Sequence, residues 1–152
     1  MNNQNPAIQK AEAIIAGKTG YIGGGMEGYA VLSLLDDAGY PSASTLTIAR
    51  AQGILWLTFA SSPDSTKAQR IANSNKASVC IASPEYNITL VGTIEEVTDL
   101  ESKKASWCDV MNGGPHWTGY DDPNFFLMRF TTQRYSIYIL DGEEELADAG
   151  DL

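Results

Sequence analysis

Residues 61–81, SSPDSTKAQRIANSNKASVCI, join a run of hydroxyls to a short helix and then to an apolar strand. Ser62 followed by Pro63 reads as an N-cap with proline at the first helical position, and Ala68, Ile71 and Ala72 give the helix one apolar side. The helix ends in Asn73-Ser74-Asn75, and residues 77–82 read as a buried strand. Lys67 lies near the helix end where the macrodipole is positive and a cation is disfavoured. Ser61, Ser62, Ser65, Thr66 and backbone N–H groups without helical acceptors surround it. A bound anion resolves the conflict, so this turn is a candidate anion site.

Outward from this stretch the pattern is mainly that of strands. Residues 6–16 carry Ile8, Ala11, Ile14 and Ile15 at helical spacing, with Gly17 as a stop. Residues 29–35 form an apolar run, 42–49 alternate, 50–53 read as a turn, and 54–59 are nearly all apolar. In residues 87–99 the alternation slips at Glu95-Glu96, where a bulge is expected. A short helix over 100–111 leads into a glycine-rich aromatic loop over 112–124, long enough to suggest a role. Two last strands, 125–131 and 135–140, place Phe126, Met128 and Phe130, then Tyr135, Ile137 and Ile139, each on one face. Six or seven strands with short connections predict a mostly β fold, a mostly antiparallel β-barrel with peripheral α-helices, in which closure removes exposed edges.

The 152 residues, 43% of them hydrophobic, suit a single domain over 1–152. Ten basic against nineteen acidic residues give a net charge of -9, which opposes capture of nucleic acid or of an anionic membrane. Part of the acid lies in residues 143–152, a tail expected to be solvated or frayed. Cys80 and Cys108 do not make a disulfide framework, and there is no signal-like leader or membrane-length apolar run, so a reduced cytoplasmic setting is expected.

Residues 23–28, GGGMEG, formally satisfy G-x-G-x-x-G, but the strand-like run that follows does not open a helix, so they are expected to form a turn. No Gly-Lys-Ser/Thr makes a P-loop near Lys67. His116 is the single histidine, and no G-x-S-x-G elbow supports a hydrolytic triad. Cys80, Cys108 and His116 lack paired ligand spacing, so no metal is expected. Trp107, His116, Trp117 and Tyr120 either cover the end of the barrel or wall a flat conjugated ligand.

The order of helix, strand, GYPSASTL, turn, ILWLTFASSPDSTKAQRIANSNKASVCI, NITLVGTIEEVTD and DPNFFLMRFTTQRYSIYILDG resembles the FMN-binding split-barrel superfamily of pyridoxamine phosphate oxidase. Within it the chain is most similar to small bacterial members related to general stress proteins. The resemblance runs from about Ala7 to Gly142. It implies that Ser65, Thr66 and Lys67 hold the FMN phosphate, the site already read from helix electrostatics. It further implies that Leu57 and Thr58 meet the flavin edge through backbone and hydroxyl, and that Thr45, Leu46 and Asn87 face the cofactor.

Ser44 stands where oxidase-pattern members carry an arginine, and no other basic residue adjoins it in sequence, which leaves Lys67 as the main cation for the phosphate. The last strand ends in Ile139-Leu140-Asp141-Gly142 rather than in the oxidase's substrate residues, so pyridoxamine phosphate is not assigned as substrate. The resemblance thus implies an FMN-dependent oxidoreductase acting on a small molecule with a nicotinamide or other electron donor. It also implies a homodimer with the flavin at the interface, and Trp107, His116 and Trp117 of the aromatic loop are the candidate substrate-side residues. The alternatives are a flavin carrier, store or redox sensor without turnover, and a split barrel that binds haem or a deazaflavin.

Overall fold

The computed structural model describes residues 5–20 and 28–152. The element order is α1 (Pro6–Ala16), β1 (Tyr29–Leu35), β2 (Pro41–Thr47), β3 (Arg50–Gln52), β4 (Trp56–Ser61), α2 (Thr66–Asn73), β5 (Lys76–Ser83), β6 (Tyr86–Val97), α3 (Leu100–Ser106), β7 (Phe126–Asp141) and β8 (Glu144–Asp151). The eight strands form one antiparallel sheet in the order β2-β1-β5-β6-β7-β4-β3, with β8 on the second half of β7. The sheet curls into a half-barrel with peripheral helices, the split-barrel architecture expected from the sequence. The glycine turn expected at 23–28 lies, apart from Gly28, outside the described residues.

The concave face holds the main core. Leu32, Leu57, Phe59, Val79, Ile81, Ile88, Leu90, Ile94 and Phe130 are buried there, with Ile8, Ala11 and Ile15 of α1 and Ala68 of α2 packed among them. Two strands expected at 125–131 and 135–140 are in fact one, β7. Val91 pairs with Arg134 and Gly92 with Thr132, so Gln133 is an extra residue bulged out of the ladder. The bulge moves the buried set of β7 from Phe126, Met128 and Phe130 to Ile137 and Ile139, which is why each half alternates cleanly but out of phase with the other. Gly92 permits this geometry, because a Cβ there would overlap the backbone carbonyl of Thr131.

The phase slip at Glu95-Glu96 has a different cause from the bulge expected there, since the β6–β7 register is unbroken at those residues. Val97 instead buries on the convex side, in a second cluster with Ala49, Met111, Phe125 and Leu127. The turn expected at 50–53 includes a real strand, β3, whose residues pair with Trp56, Leu57 and Thr58.

The acidic tail is also not frayed. Asp141 pairs with Glu144 across a two-residue turn in which Gly142 has φ +67, and β8 then follows β7 to Asp151. Tyr135 donates its hydroxyl to Asp148 Oδ2 at 2.7 Å, which opposes its ionisation, and Asn5, the N-cap of α1, donates its Nδ2 to the same oxygen at 2.9 Å. The acids remain at a sheet edge, where charge discourages pairing with other chains. Asp148→Ala is expected to cost about 1–2 kcal/mol for the two lost bonds and to lower the melting temperature by several degrees. An unchanged melting curve would show that the tail contributes nothing in solution.

Candidate functional site

The helix after the hydroxyl run begins three residues later than the sequence suggests. Ser65 is the N-cap, its Oγ accepting from the Ala68 N–H at 3.2 Å, whereas Ser62, Pro63 and Asp64 form the preceding turn, closed by Ser65 N–H to the Ser62 carbonyl at 3.1 Å. Pro63 therefore serves the turn, and Thr66 and Lys67 become the first two helical residues. Their N–H groups have no acceptor within the helix, and the Thr66 hydroxyl and the half-buried Lys67 stand beside them.

Arg70 supplies a cation that the linear sequence concealed. Its Nη1 donates to Ser42 Oγ at 3.0 Å, and Ser42 lies two residues from Ser44 on the same face of β2. The position read as lacking any basic neighbour thus has one from α2. Lys67 and Arg70 are three residues apart, which puts both on one side of the helix, and that spacing was the available signal. Acids lie near this turn as well: Asp36 accepts from the Ala38 and Tyr40 N–H groups, Asp37 accepts from Asn73 Nδ2, and Asp64, one residue before the cap, accepts from the Ser62 hydroxyl.

The remaining expected cofactor residues fall into separate groups. Thr45 and Asn87 lie on the convex face, Thr45 opposite Val31 and Asn87 opposite Tyr138, with Asn87 accepting from the Thr89 hydroxyl at 3.0 Å. Leu46 is half-buried against the main core. Leu57 and Thr58 have no exposed side chain: Leu57 is a core residue, and the Thr58 hydroxyl is used by Ser106 Oγ at 3.0 Å and the Arg50 carbonyl at 3.4 Å. The Thr58 hydroxyl expected to meet a flavin is thus bonded inside the chain.

The aromatic loop shapes a cleft of about 870 Å³ between the end of β4 and residues 110–124, lined by Ser61, Ser62, Asp64, Met111, His116 and Trp117 among others. It brings His116 and Trp117 to the hydroxyls that precede α2, though Thr66 and Lys67 do not line it. Trp107 and Trp117 both meet the Phe125 ring edge-on, with centroids 5.2 and 5.1 Å away. Their indole N–H groups go to Asn112 Oδ1 and the Asn124 carbonyl at 2.9 and 2.8 Å. Trp107 packs on the second cluster and does not line the cleft, whereas Trp117 does both. Burial, aided by Asp109, pushes the Cys108 thiol up, so it is a poor nucleophile at neutral pH. Among the described residues no three His, Cys, Asp or Glu side chains cluster to hold a metal.

The sequence matches the family described as pyridoxamine 5'-phosphate oxidase over residues 26–138. None of the curated proteins matches it. Similar solved structures include general stress protein 26 from Bacillus anthracis, at 20% identity and TM-score 0.71 over 95% of this chain and 98% of that one. A pyridoxamine 5'-phosphate oxidase-related, FMN-binding protein from Nostoc punctiforme aligns at 15% identity and TM-score 0.60, over 96% and 94% of the two chains. A haem-binding protein from Mycobacterium smegmatis aligns at 20% identity and TM-score 0.69, over 97% of this chain but 59% of the other. At these identities the likeness is one of fold.

Asp122 organises the cleft's loop. Its carboxylate accepts from the Asn124 and Thr118 N–H groups, both at 2.9 Å, and from the Thr118 hydroxyl, bonds that hold it below the usual carboxylate range. The contribution is present above the unfolded carboxyl's pKa and is lost as pH falls through the lower folded value. Tryptophan fluorescence is expected to report loosening of this loop on acidification and, at neutral pH, the same loosening in Asp122→Ala. A spectrum in Asp122→Ala identical to that of the parent would show that these bonds do not order the loop.

Proposed function

Because the match covers most of its length, the chain belongs to the pyridoxamine 5'-phosphate oxidase family, and from that premise we propose that it binds FMN and acts as a flavin-dependent oxidoreductase on a small molecule. The observation that carries this reading is the donor set at the start of α2. Two backbone N–H groups without helical acceptors, the Thr66 hydroxyl and the Lys67 ammonium belong to that first turn, with Arg70 one turn on and bonded to Ser42. An oxyanion suits that set, since among the described residues neither Lys67 nor Arg70 has a carboxylate within ion-pair distance and the helix end favours negative charge. Ser65 contributes as the cap that fixes the turn. FMN, when bound, supplies the electron transfer, and the chain's task is to bind it, orient it and keep water away.

The groups that this chain leaves apart would be completed by a second copy. The convex row Thr45, Val31, Cys80, Thr89, Ser136 and Ala149 carries no charge, nor does the adjacent row through Ala82, Asn87, Tyr138 and Ala147. Val31 and Tyr138 stand exposed on it, at 36% and 42%. In a chain with net charge -9, an uncharged face of this extent favours a homodimer there, with Thr45 and Asn87 at the shared flavin site. The cleft that His116 and Trp117 line supports a substrate-side role for both, and a nicotinamide is the electron donor to test. Two free cysteines suit a reduced cytoplasmic setting, and among the described residues no helix is long and apolar enough to cross a membrane. Haem, which the mycobacterial neighbour binds, finds one histidine here, on an exposed loop.

Lys67→Ala is expected to weaken FMN binding about tenfold or more while leaving the far-ultraviolet circular dichroism unchanged, as a lost charge-assisted bond requires. Unchanged affinity would remove the phosphate site from α2. Reduction of the bound flavin by a nicotinamide donor faster than free FMN reacts supports turnover, and equal rates favour a carrier or sensor. Sedimentation is expected to give a dimer for the parent chain and a monomer for Val31→Glu; a parent monomer would overturn the shared site.

A further inference from the structure

We propose, resting on the reading of the cleft of His116 and Trp117 as the substrate side, that this cleft takes a flat aromatic amine, held as its cation by Asp64. At about 870 Å³ the cleft has the size of a small-molecule site. Its apolar wall comes from Val110, Met111, Pro115 and Trp117. Val110 stands 55% exposed there, and His116 lies next to Trp117 with ring centroids 5.6 Å apart. The Trp117 indole N–H is spent on the Asn124 carbonyl, so its ring offers the cleft apolar surface and no donor. A flat ring suits such a wall.

Charge selects among flat rings. Among the described residues that line the cleft there is no lysine or arginine, and Asp64 is the one carboxylate. Its Oδ1 accepts from the Ser62 hydroxyl, and no cation of the described residues comes within ion-pair distance of it. An anionic occupant would meet that carboxylate with no lining cation to offset the repulsion, and the Ser62 hydroxyl, a donor that could have served it, is turned to Asp64. An ammonium group reverses the balance, because it donates to the open side of Asp64 and is attracted by aromatic rings. Phosphate belongs instead at α2, whose Lys67 lies outside the cleft lining.

Probes that share one ring isolate the charge: naphthylmethylamine, naphthalenemethanol and naphthylmethyl phosphate, each measured by equilibrium dialysis against the full-length protein and against Lys67→Ala. The amine is expected to bind about fivefold or more tightly than the alcohol in both proteins, and the phosphate least tightly in Lys67→Ala. Asp64→Asn, which keeps an acceptor for Ser62, is expected to bring the amine down to the alcohol's affinity and to leave the alcohol unchanged. Glu144→Gln removes an acid at the far end of β7 and is expected to change neither, which separates the site from the chain's net charge. Val110→Lys, at an exposed lining position, is expected to weaken the amine and strengthen the phosphate. No saturation by about 10 mM, an amine that binds no tighter than the alcohol, or equal losses in Asp64→Asn and Glu144→Gln overturns the proposal. Loss of amine binding in Lys67→Ala overturns it as well. Because FMN binding is read at Lys67 and amine binding at Asp64, either can fail without the other.

Discussion

The close approach of the Thr131 carbonyl to Gly92 is the constraint on which the rest of the fold depends. Only a residue without a side chain leaves room for it, and it is there that β7 takes up the extra residue Gln133. The bulge lets one strand serve two neighbourhoods. Its first half pairs with β4 and carries Arg129 beside Trp56, while its second half pairs with β8 and carries Tyr135 to Asp148. Without the change of phase, one half of β7 would turn its apolar residues to the convex side and the concave core would lose Ile137 and Ile139 or Phe126, Met128 and Phe130.

Periodicity made most of this architecture legible, because α1, β1, β2, β5, β6 and most of β7 bury one side each and so write their period into the sequence, while β4, buried on both faces, reads as an apolar run. It failed where burial changes sides. Val97 looked like the far side of a bulge because the second cluster covers the convex face there, and the real bulge looked like a gap between two strands. The acidic composition of residues 143–152 outweighed the Asp-Gly turn signal that begins β8, since charge at an exposed edge is compatible with pairing. Ser62-Pro63 carried the usual helix-start signal, yet Ser65 caps because the Ser62–Ser65 turn must first reverse the chain out of β4.

The candidate site was legible where it rests on local chemistry and opaque where it rests on register. Ser65, Thr66 and Lys67 adjoin one another in sequence, so their convergence needed only a helix start. Arg70 reaches Ser42 across 28 positions, a contact that no spacing rule encodes. Leu57 and Thr58 show the opposite error. Their strand was read correctly, but its neighbours on both faces bury the side chains. Among the described residues Lys67 and Arg70 have no carboxylate at ion-pair distance, and it is their place beside the open N–H groups of α2 that suits them to an anionic ligand.

The visible absorption spectrum of the freshly purified protein, with chromatographic identification of whatever denaturation releases, tests the central claim most directly. The account predicts a flavin spectrum and released FMN, or acquisition of that spectrum when FMN is added to colourless protein. A protein that is colourless and stays unchanged by added FMN, or one that carries a haem band instead, would contradict it.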